Sequence, residues 1–425
     1  MIAFLFKGIF RDRSRSFIPF LTVTLGVFLT VGMYSYIKGG VFTITRFSAN
    51  LGTGHVKVTT RAYAQETGAP ANDAALTDAA ALASRLADDY PDFDWAPRIR
   101  FGGLLDVPDE NGKTITQGAV AGFAADLLSS ESREKERLDL GRGLIRGRLP
   151  ERPDEILIGD ILARRLGLEP GQKAALLSST RRGSMAAANF TLAGTVDFGV
   201  RSMDRTGIVA DLQGVRAALD MEDEAGEILG FFKNSLFDRN KAEAVKAAFN
   251  GRAGADASDD FAPVLLTLRD QNGLGESLDY MNAAQAVIIV VFVIPMALVL
   301  WNAGLIGNLR RYGEIGIRLA MGETKGHIYR SLLAESLMIG FLGTVAGTVL
   351  GLALAYYLQA HGINIRVLMK NASIMIPNVL HARVTTLSYV IGLAPGLLAT
   401  FVGTAISGRG IYKRQTARLL KELET

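Results

Sequence analysis

Four apolar runs constrain this chain more than anything else in it: Phe17–Ile37, Ala283–Ile306, Leu337–Leu358 and Leu387–Ile406 each keep Asp, Glu, Lys and Arg out of their interiors. A helix needs roughly 20 apolar residues to cross the hydrocarbon of a bilayer, and in lipid a spanning segment must satisfy its own backbone hydrogen bonds. The runs are therefore expected to be transmembrane helices, and an even number of them puts both termini on one side. Lys and Arg mark that side as cytoplasmic. Lys7, Arg11, Arg13 and Arg15 precede the first run; Arg310, Arg311, Arg318, Lys325 and Arg330 fill the gap between the second and third; Arg409, Lys413, Arg414, Arg418 and Lys421 follow the last. The formal net charge of +4 then reflects topology anchors and points to no nucleic-acid partner. Tyr36-Ile-Lys-Gly-Gly40 lacks the small-x-small pattern of a signal-peptide cleavage site, so the first run is read as a retained helix.

About 240 residues separate the first two runs, enough for one or two cores. No cysteine occurs in the chain, so an exported region of this size must rest on packing and not on disulfides. The predicted fold is an α+β membrane protein: four transmembrane helices, with a large extracytoplasmic α+β domain inserted between helices 1 and 2. In order, a cytoplasmic segment covers 1–16, helix 1 and its extension 17–50, and the extracytoplasmic domain 51–275, with a β-rich insertion at about 97–200. Helix 2 follows at 276–306, a cytoplasmic stretch at 307–330, helix 3 at 331–358, an outer loop at 359–386, helix 4 at 387–406 and a cytoplasmic tail at 407–425.

Inside the domain, Val56 and Val58 alternate with polar residues as in a half-buried strand. Thr77 is placed to cap an Ala-rich helix reaching about Asp89. Leu104–Val107 and Thr114–Val120 flank Asn111-Gly112, a tight-hairpin signal. Glu155–Gly159 leads into a short helix closed by Gly167, then a Pro170-Gly171 turn and the strand Lys173–Leu177. Phe190–Phe198, Gly207–Ala210 and Ile228–Leu236 read as strands; Asp211–Leu219 and Asn240–Phe249 read as helices, the second ended by Gly251.

No catalytic constellation emerges. His55, His361 and His381 fall outside the membrane and His327 inside, none at metal-ligand spacing, and His55 reads as a structural strand-edge residue. No G-x-x-x-x-G-K-[ST] loop occurs, so the chain offers ATP no phosphate cradle of that kind. Ser129-Ser-Glu-Ser-Arg-Glu-Lys-Glu-Arg137 mixes both signs and reads as a solvated helix face or loop. No ionisable residue is expected at mid-membrane, where an ion pathway would need one.

Arg310 to Arg330, RRYGEIGIRLAMGETKGHIYR, is charged and amphipathic at once. As a helix it puts Tyr312, Ile315 and Leu319 on one face and pairs Glu314 with Arg318 at i,i+4. Gly322 would end it and Thr324 would cap a following helix of some 34 residues, about 51 Å, which outruns the hydrocarbon and projects into the cytoplasm. The stretch is then either a short helix offered to a cytoplasmic partner or one lying on lipid. In the third run, Gly340, Gly343, Gly347 and Gly351 form a small-residue seam suited to close helix contact.

Arg311-x-x-Glu314-Ile-Gly-Ile-Arg318-Leu-Ala-Met-Gly322, followed by Ile328, Leu332, Leu333, Glu335 and a glycine-rich apolar helix, resembles the signature of the FtsX-like permease family, ABC transporter permeases of the MacB and lipoprotein-releasing LolC/LolE kind. Gly54-His-Val-Lys-Val58 is similar to the opening of the exported domain in the lipoprotein-releasing members. Val120-Ala-Gly122, Leu144-Ile-Arg-Gly-Arg148, Glu155-Ile-Leu-Ile-Gly159, Leu166-Gly-Leu-x-x-Gly171 and Gly194-Thr-Val196 follow the order of a MacB-type periplasmic domain. The tail Ile406-Ser-Gly-Arg-Gly-Ile-Tyr-Lys-Arg414 departs from the proline and Ala-rich basic ending common in the family.

The resemblance implies a non-catalytic permease of the bacterial inner membrane, working by mechanotransmission. Arg311, Glu314, Ile315, Gly316, Arg318, Leu319 and Gly322 would form its coupling helix against a cytoplasmic ABC ATPase dimer. No cofactor is implied in this chain; ATP and Mg would bind the ATPase. A second copy or paralogue would complete the membrane part, with a periplasmic carrier or a lipoprotein as further partners, and lipoprotein release or amphiphile export as the activity. The alternative within the resemblance is a non-transporting, FtsX-type signalling or hydrolase-regulating protein.

Overall fold

The computed structural model describes residues 13–65, 72–109, 112–253, 259–309, 312–365 and 379–409. The chain divides into two compact units, one made of Met1–Phe42, Tyr280–Ile363 and Leu380–Thr425, the other of Thr43–Asp279 with Asn364–Val379. α1 (Arg13–Ser48) runs through Gly39-Gly40 without a break.

The second unit is built on β1 (Val56–Thr60), β2 (Phe93–Pro108), β3 (Thr114–Ala125), β4 (Leu144–Gly147), β5 (Glu155–Gly159), β6 (Lys173–Ser179), β7 (Met185–Val196), β8 (Gly207–Asp211), β9 (Glu227–Phe232) and β10 (Pro263–Thr267). Antiparallel pairing in the order β10-β1-β9-β2 makes a sheet that uses only the first part of β2, Phe93 to Arg98. From Ile99 onward the same strand pairs with β3 and β6, and the pairings β2-β3-β8-β5-β7-β6-β2 close into a six-stranded barrel. Closure leaves those strands no free edge to template aggregation. Gly122 permits the close crossing with β8: a Cβ there would meet Ile208 O at 1.7 Å.

α2 (Ala79–Asp89) and α5 (Arg239–Ala253) cover the sheet, sharing its core through Leu86, Phe93, Ile228 and Phe232. α3 (Asp160–Leu166) and α4 (Leu212–Leu219) send Leu162, Leu166, Val215 and Leu219 into the barrel core with Ile99, Phe101, Leu105, Ile156, Ile158 and Leu192. At the open edge of β10, the Asn250 side chain takes both backbone groups of Leu265, donating to its O at 3.0 Å and accepting from its N at 2.8 Å.

Several sequence expectations need correction. The barrel runs past residue 200, because β8 pairs with both β3 and β5 and α4 packs beneath it. β1 is buried along its whole length, not half-buried, since it lies between β9 and β10; Lys57 is tolerated there because its Nζ stands 2.8 Å from Glu227. Thr77 does not cap α2. Asp78 takes a positive φ, and Asp223 receives the N–H groups of Ala79 and Ala80 from across the fold. The β2–β3 connection is wider than a two-residue turn: Gly112 N donates to Asp109 O, Asp109 N to Lys113 O, and Gly112 has φ +78, while Asn111 lies outside the described residues. β7 stops at Val196 and β9 at Phe232, just before a turn in which Ser235 has a positive φ, and α5 continues through Gly251.

The charged stretch 129–137 is solvated only in part: Ser129, Ser130, Glu131, Arg133 and Glu136 are exposed, while Glu134 turns inward. Glu134 is 1% exposed and Arg98 0%. Glu134 binds Arg98 at 2.7 Å and also pairs with Arg137, which reaches Asp94. The Arg137 guanidinium lies 3.7 Å over the Phe231 ring and that of Arg98 4.7 Å from Phe123. Two strand positions away from Arg98, Arg100 approaches Glu227 at 3.6 Å, the carboxylate that Lys57 also holds. Burial pushes the Glu227 pKa up, but Lys57 and Arg100 outweigh it and keep the carboxyl below its ordinary range. These ion pairs sit where β2 leaves the sheet and enters the barrel. Beside them, buried His55 accepts a hydrogen bond at Nδ1 from Phe232 N at 2.9 Å, and burial, with Arg137 adding to it, lowers its pKa to about 4.

The first unit contains α1 up to Phe42, α6 (Leu274–Leu309) from Tyr280, α7 (Tyr312–Ala320), α8 (Lys325–His361) and α9 (Ala399–Gly408). Among the described residues, two helices are long and apolar enough to cross a membrane, Phe17–Thr53 and Lys325–His361. The expected helix over 387–406 is not continuous. A 3-10 turn at Thr386–Tyr389 and a π-helical turn at Ala394–Leu398 precede α9. The cause is Pro395, which lacks the N–H that a regular helix needs there.

Candidate functional site

α7 has nine residues and ends in a defined stop. Gly322, at φ +91, donates to Leu319 O, and Glu323 N donates to Arg318 O, the paired bonds of a Schellman cap that only a residue at ease with positive φ can make. α8 then starts at Lys325; the Thr324 carbonyl accepts from His327 N and Ile328 N, while its hydroxyl makes no capping bond. Arg318 pairs with Glu323 across the turn at 3.4 Å, and Glu323 is 3.6 Å from His327.

Of the residues expected to couple, Arg311 lies outside the described residues. Glu314 and Ile315 are on α7, Gly316 is buried, Arg318 and Leu319 are half-buried and Gly322 is exposed at the cap. Among the described side chains of this stretch, the large apolar ones that face outward are Ile317 at 50% exposure and Met321 at 75%. They stand four residues apart on one side of the helix and its cap, a spacing that the sequence itself carries.

The four seam glycines are buried. A Cβ at Gly343 would be 2.8 Å from Val23 Cβ, at Gly347 2.5 Å from Thr24 O, and at Gly351 2.8 Å from Val31 Cβ, so α1 and α8 touch backbone to backbone with both chains ascending together. Gly340 faces Thr400 instead, at 2.5 Å to Oγ1. Two further glycines complete the arrangement from the last segment: Gly396 meets Thr344 and Val27, and Gly392 meets Val27 and Thr348, so this segment descends as α8 ascends. Val27 is thus surrounded by three glycines. At the start of α8, Tyr329 donates its hydroxyl to Ala405 O at 3.1 Å and packs on Gly408. Lipid tails are as apolar as these side chains, so the contact gains from close backbone approach and dispersion and not from water release.

Nothing in this arrangement has the geometry of a reaction centre. Among the described residues no group of three or more His, Asp or Glu could hold a metal. An exposed helical turn is joined by the Schellman cap to a 37-residue helix that packs against α1 and the last segment.

The MacB-like periplasmic core domain matches residues 16–250 and the FtsX-like permease C-terminal domain residues 286–416. The chain is 23% identical over 290 residues to the lipoprotein-releasing system transmembrane protein LolC of Neisseria meningitidis serogroup B (strain ATCC BAA-335 / MC58), covering 63% of this chain and 66% of that protein, just under two thirds of its length. The periplasmic region of MacB from Actinobacillus actinomycetemcomitans aligns over 54% of this chain and 94% of its own, at 12% identity and a TM-score of 0.33. With the two family domains together covering most of its length, the chain belongs to the FtsX-like permeases that carry a MacB-like periplasmic core domain.

Proposed function

We propose that this chain is the permease subunit of an ABC transporter, converting ATP hydrolysis by a separate cytoplasmic ATPase dimer into movement of an extracytoplasmic domain that releases lipoproteins or expels an amphiphile. The observation that carries the proposal is the exposed pair formed by Ile317 on α7 and Met321 in its cap, joined through Gly322 to α8. An amphipathic helix with apolar anchors on its free side suits a groove on a partner protein. In this reading ATP and Mg belong to the ATPase, and four membrane-spanning segments put both termini in the cytoplasm of a bacterial inner membrane. The parallel run of α1 and α8, with the last segment antiparallel, supports such a topology because alternate crossings must alternate in direction. α6 exposes Val287, Val290, Val291, Ile294 and Leu298, which offers a face for a second permease copy or a paralogue. On α1, by contrast, Gly26 and Gly32 are buried, and Gly32 faces Leu354 of α8 within the chain.

The test is co-purification. Ile317→Asp is expected to leave the chain in the membrane but strip it of its ATPase; full retention of a stimulated ATPase by this variant would overturn the reading. Cysteines placed at Ser129 and Gln172 should react with membrane-impermeant maleimide from outside, and one at Lys325 should not.

A further inference from the structure

The segment Leu380–Ser388, just before the last apolar stretch, has no part in the proposed coupling, yet it is built onto two helices at once. Its backbone rests on α1 at Gly39, where a Cβ would stand 2.0 Å from His381 O and 2.6 Å from Ala382 Cα. Arg383 N donates to Ser35 O at 2.9 Å, a bond to a carbonyl in the middle of a helix. Ser35 Oγ donates to Ser388 Oγ at 3.1 Å, both residues being fully buried. Thr385 Oγ1 is 3.4 Å from Tyr34 OH, and the Arg383 guanidinium lies 3.7 Å over the Phe42 ring. The same residues hold the end of α8: Ala382 N donates to Leu358 O at 3.3 Å and Val384 N to Gln359 Oε1 at 3.0 Å, while His381 Nδ1 is 3.1 Å from Gln359 O.

A helix glycine with no room for a methyl group and two buried hydroxyls bonded to each other are specific requirements, since buried polar groups cost free energy wherever a partner is missing. Lipid or water against α1 would demand neither. We propose that Leu380–Ser388 is a collar that locks the outer end of α1 to the outer end of α8. Below it the glycine seam holds the same two helices from Val23 to Val31, so α1 is gripped at two levels and travels with α8 as one body as far as Phe42. The division between the two compact units falls between Phe42 and Thr43, directly after the collar's outermost contact. The collar thus sets the point at which motion of α8 is passed on along α1. The meaning of that motion rests on the permease reading; the grip does not.

Because the chain has no cysteine, the test is clean. In the full chain in native membranes, Ser35→Cys with Ser388→Cys should cross-link to completion on mild oxidation. Spin labels at Lys38→Cys and Tyr357→Cys should give one narrow distance peak that does not move when ATPase and nucleotide are added. Gly39→Leu should abolish the narrow peak, and Ser388→Ala, which adds no bulk, should broaden it. A peak that shifts with nucleotide in the parent overturns the collar. So does one that stays narrow in Gly39→Leu, or one that stays narrow in Ser388→Ala should Gly39→Leu fail to reach the membrane. The permease reading is judged separately, on whether the ATPase binds the parent, and its failure leaves the label distances to decide the collar.

Discussion

The joint at the start of the barrel and the seam along α8 are both buried and both hold two parts together, but they are made of opposite materials. Around Arg98 the contact is ionic, with Glu134, Arg137 and Asp94 in one cluster and Glu227 with Lys57 and Arg100 in a second beside it. Around Val27 it is glycine against valine, with no charge. The difference follows from the solvent each part was built to leave. In water the hydrophobic effect assembles the two flanking cores by itself, so the joint between them can carry charges that fix one arrangement of the parts. In lipid that drive is absent and only close contact distinguishes a protein neighbour from an acyl chain.

Removing one charge from the joint should have the largest effect. Arg98→Ala leaves Glu134 buried without its 2.7 Å partner and should cost about 3–5 kcal/mol, read as thermal unfolding of the detergent-solubilised chain. A cost below 1 kcal/mol would place water in the joint. Next comes pH. The His55 pKa is lowered from 6.5 to about 4 in the folded state. As pH falls through that window the unfolded chain takes up a proton that the folded one refuses, so stability should drop by about 3 kcal/mol between pH 6.5 and pH 4. His55→Gln should remove that part of the slope, and an unchanged slope would assign it to the carboxylates instead.

In the seam the corresponding experiment adds bulk. Gly347→Leu drives a side chain against Thr24 O, which a Cβ alone would approach to 2.5 Å, and overpacking of this kind costs about 1–3 kcal/mol, measurable by SDS-induced unfolding in micelles. Indifference to it would mean that α1 and α8 separate freely. The smallest effect serves as the control: Arg252 and Asp89 pair at 3.4 Å but are 72% and 56% exposed, so Arg252→Ala should change stability by at most about 0.5 kcal/mol. Ion pairing as such would then be ruled out as the source of the joint's strength.

The same contrast separates what could be read in the sequence from what could not. Gly167, Gly171 and Gly322 announced their turns because positive φ is a property of a single residue. The seam glycines were visible through their spacing alone. Pro395 between Gly392 and Gly396 also announced a break, and the apolar run around it concealed the signal. By contrast, Arg98 meets Glu134 across 36 residues and Asp223 caps α2 across 143. Nothing local in either sequence neighbourhood names its partner, so a largely exposed charge run can still bury one carboxylate, Glu134. Barrel closure through β2 and β6 is hidden for the same reason. In the candidate site the helix and its stop were legible, whereas the outward turn of Ile317 and Met321 depends on what α7 rests upon.

β2 has sixteen residues, about 50 Å at roughly 3.3 Å per residue, and passes from sheet to barrel with no loop between them. A loop there would act as a hinge and absorb displacement in a few soft dihedrals. An unbroken strand, laced on both sides and clamped by charges midway, behaves as a beam. A displacement of the sheet near Phe93 would then be carried to the far hairpin by the strand itself.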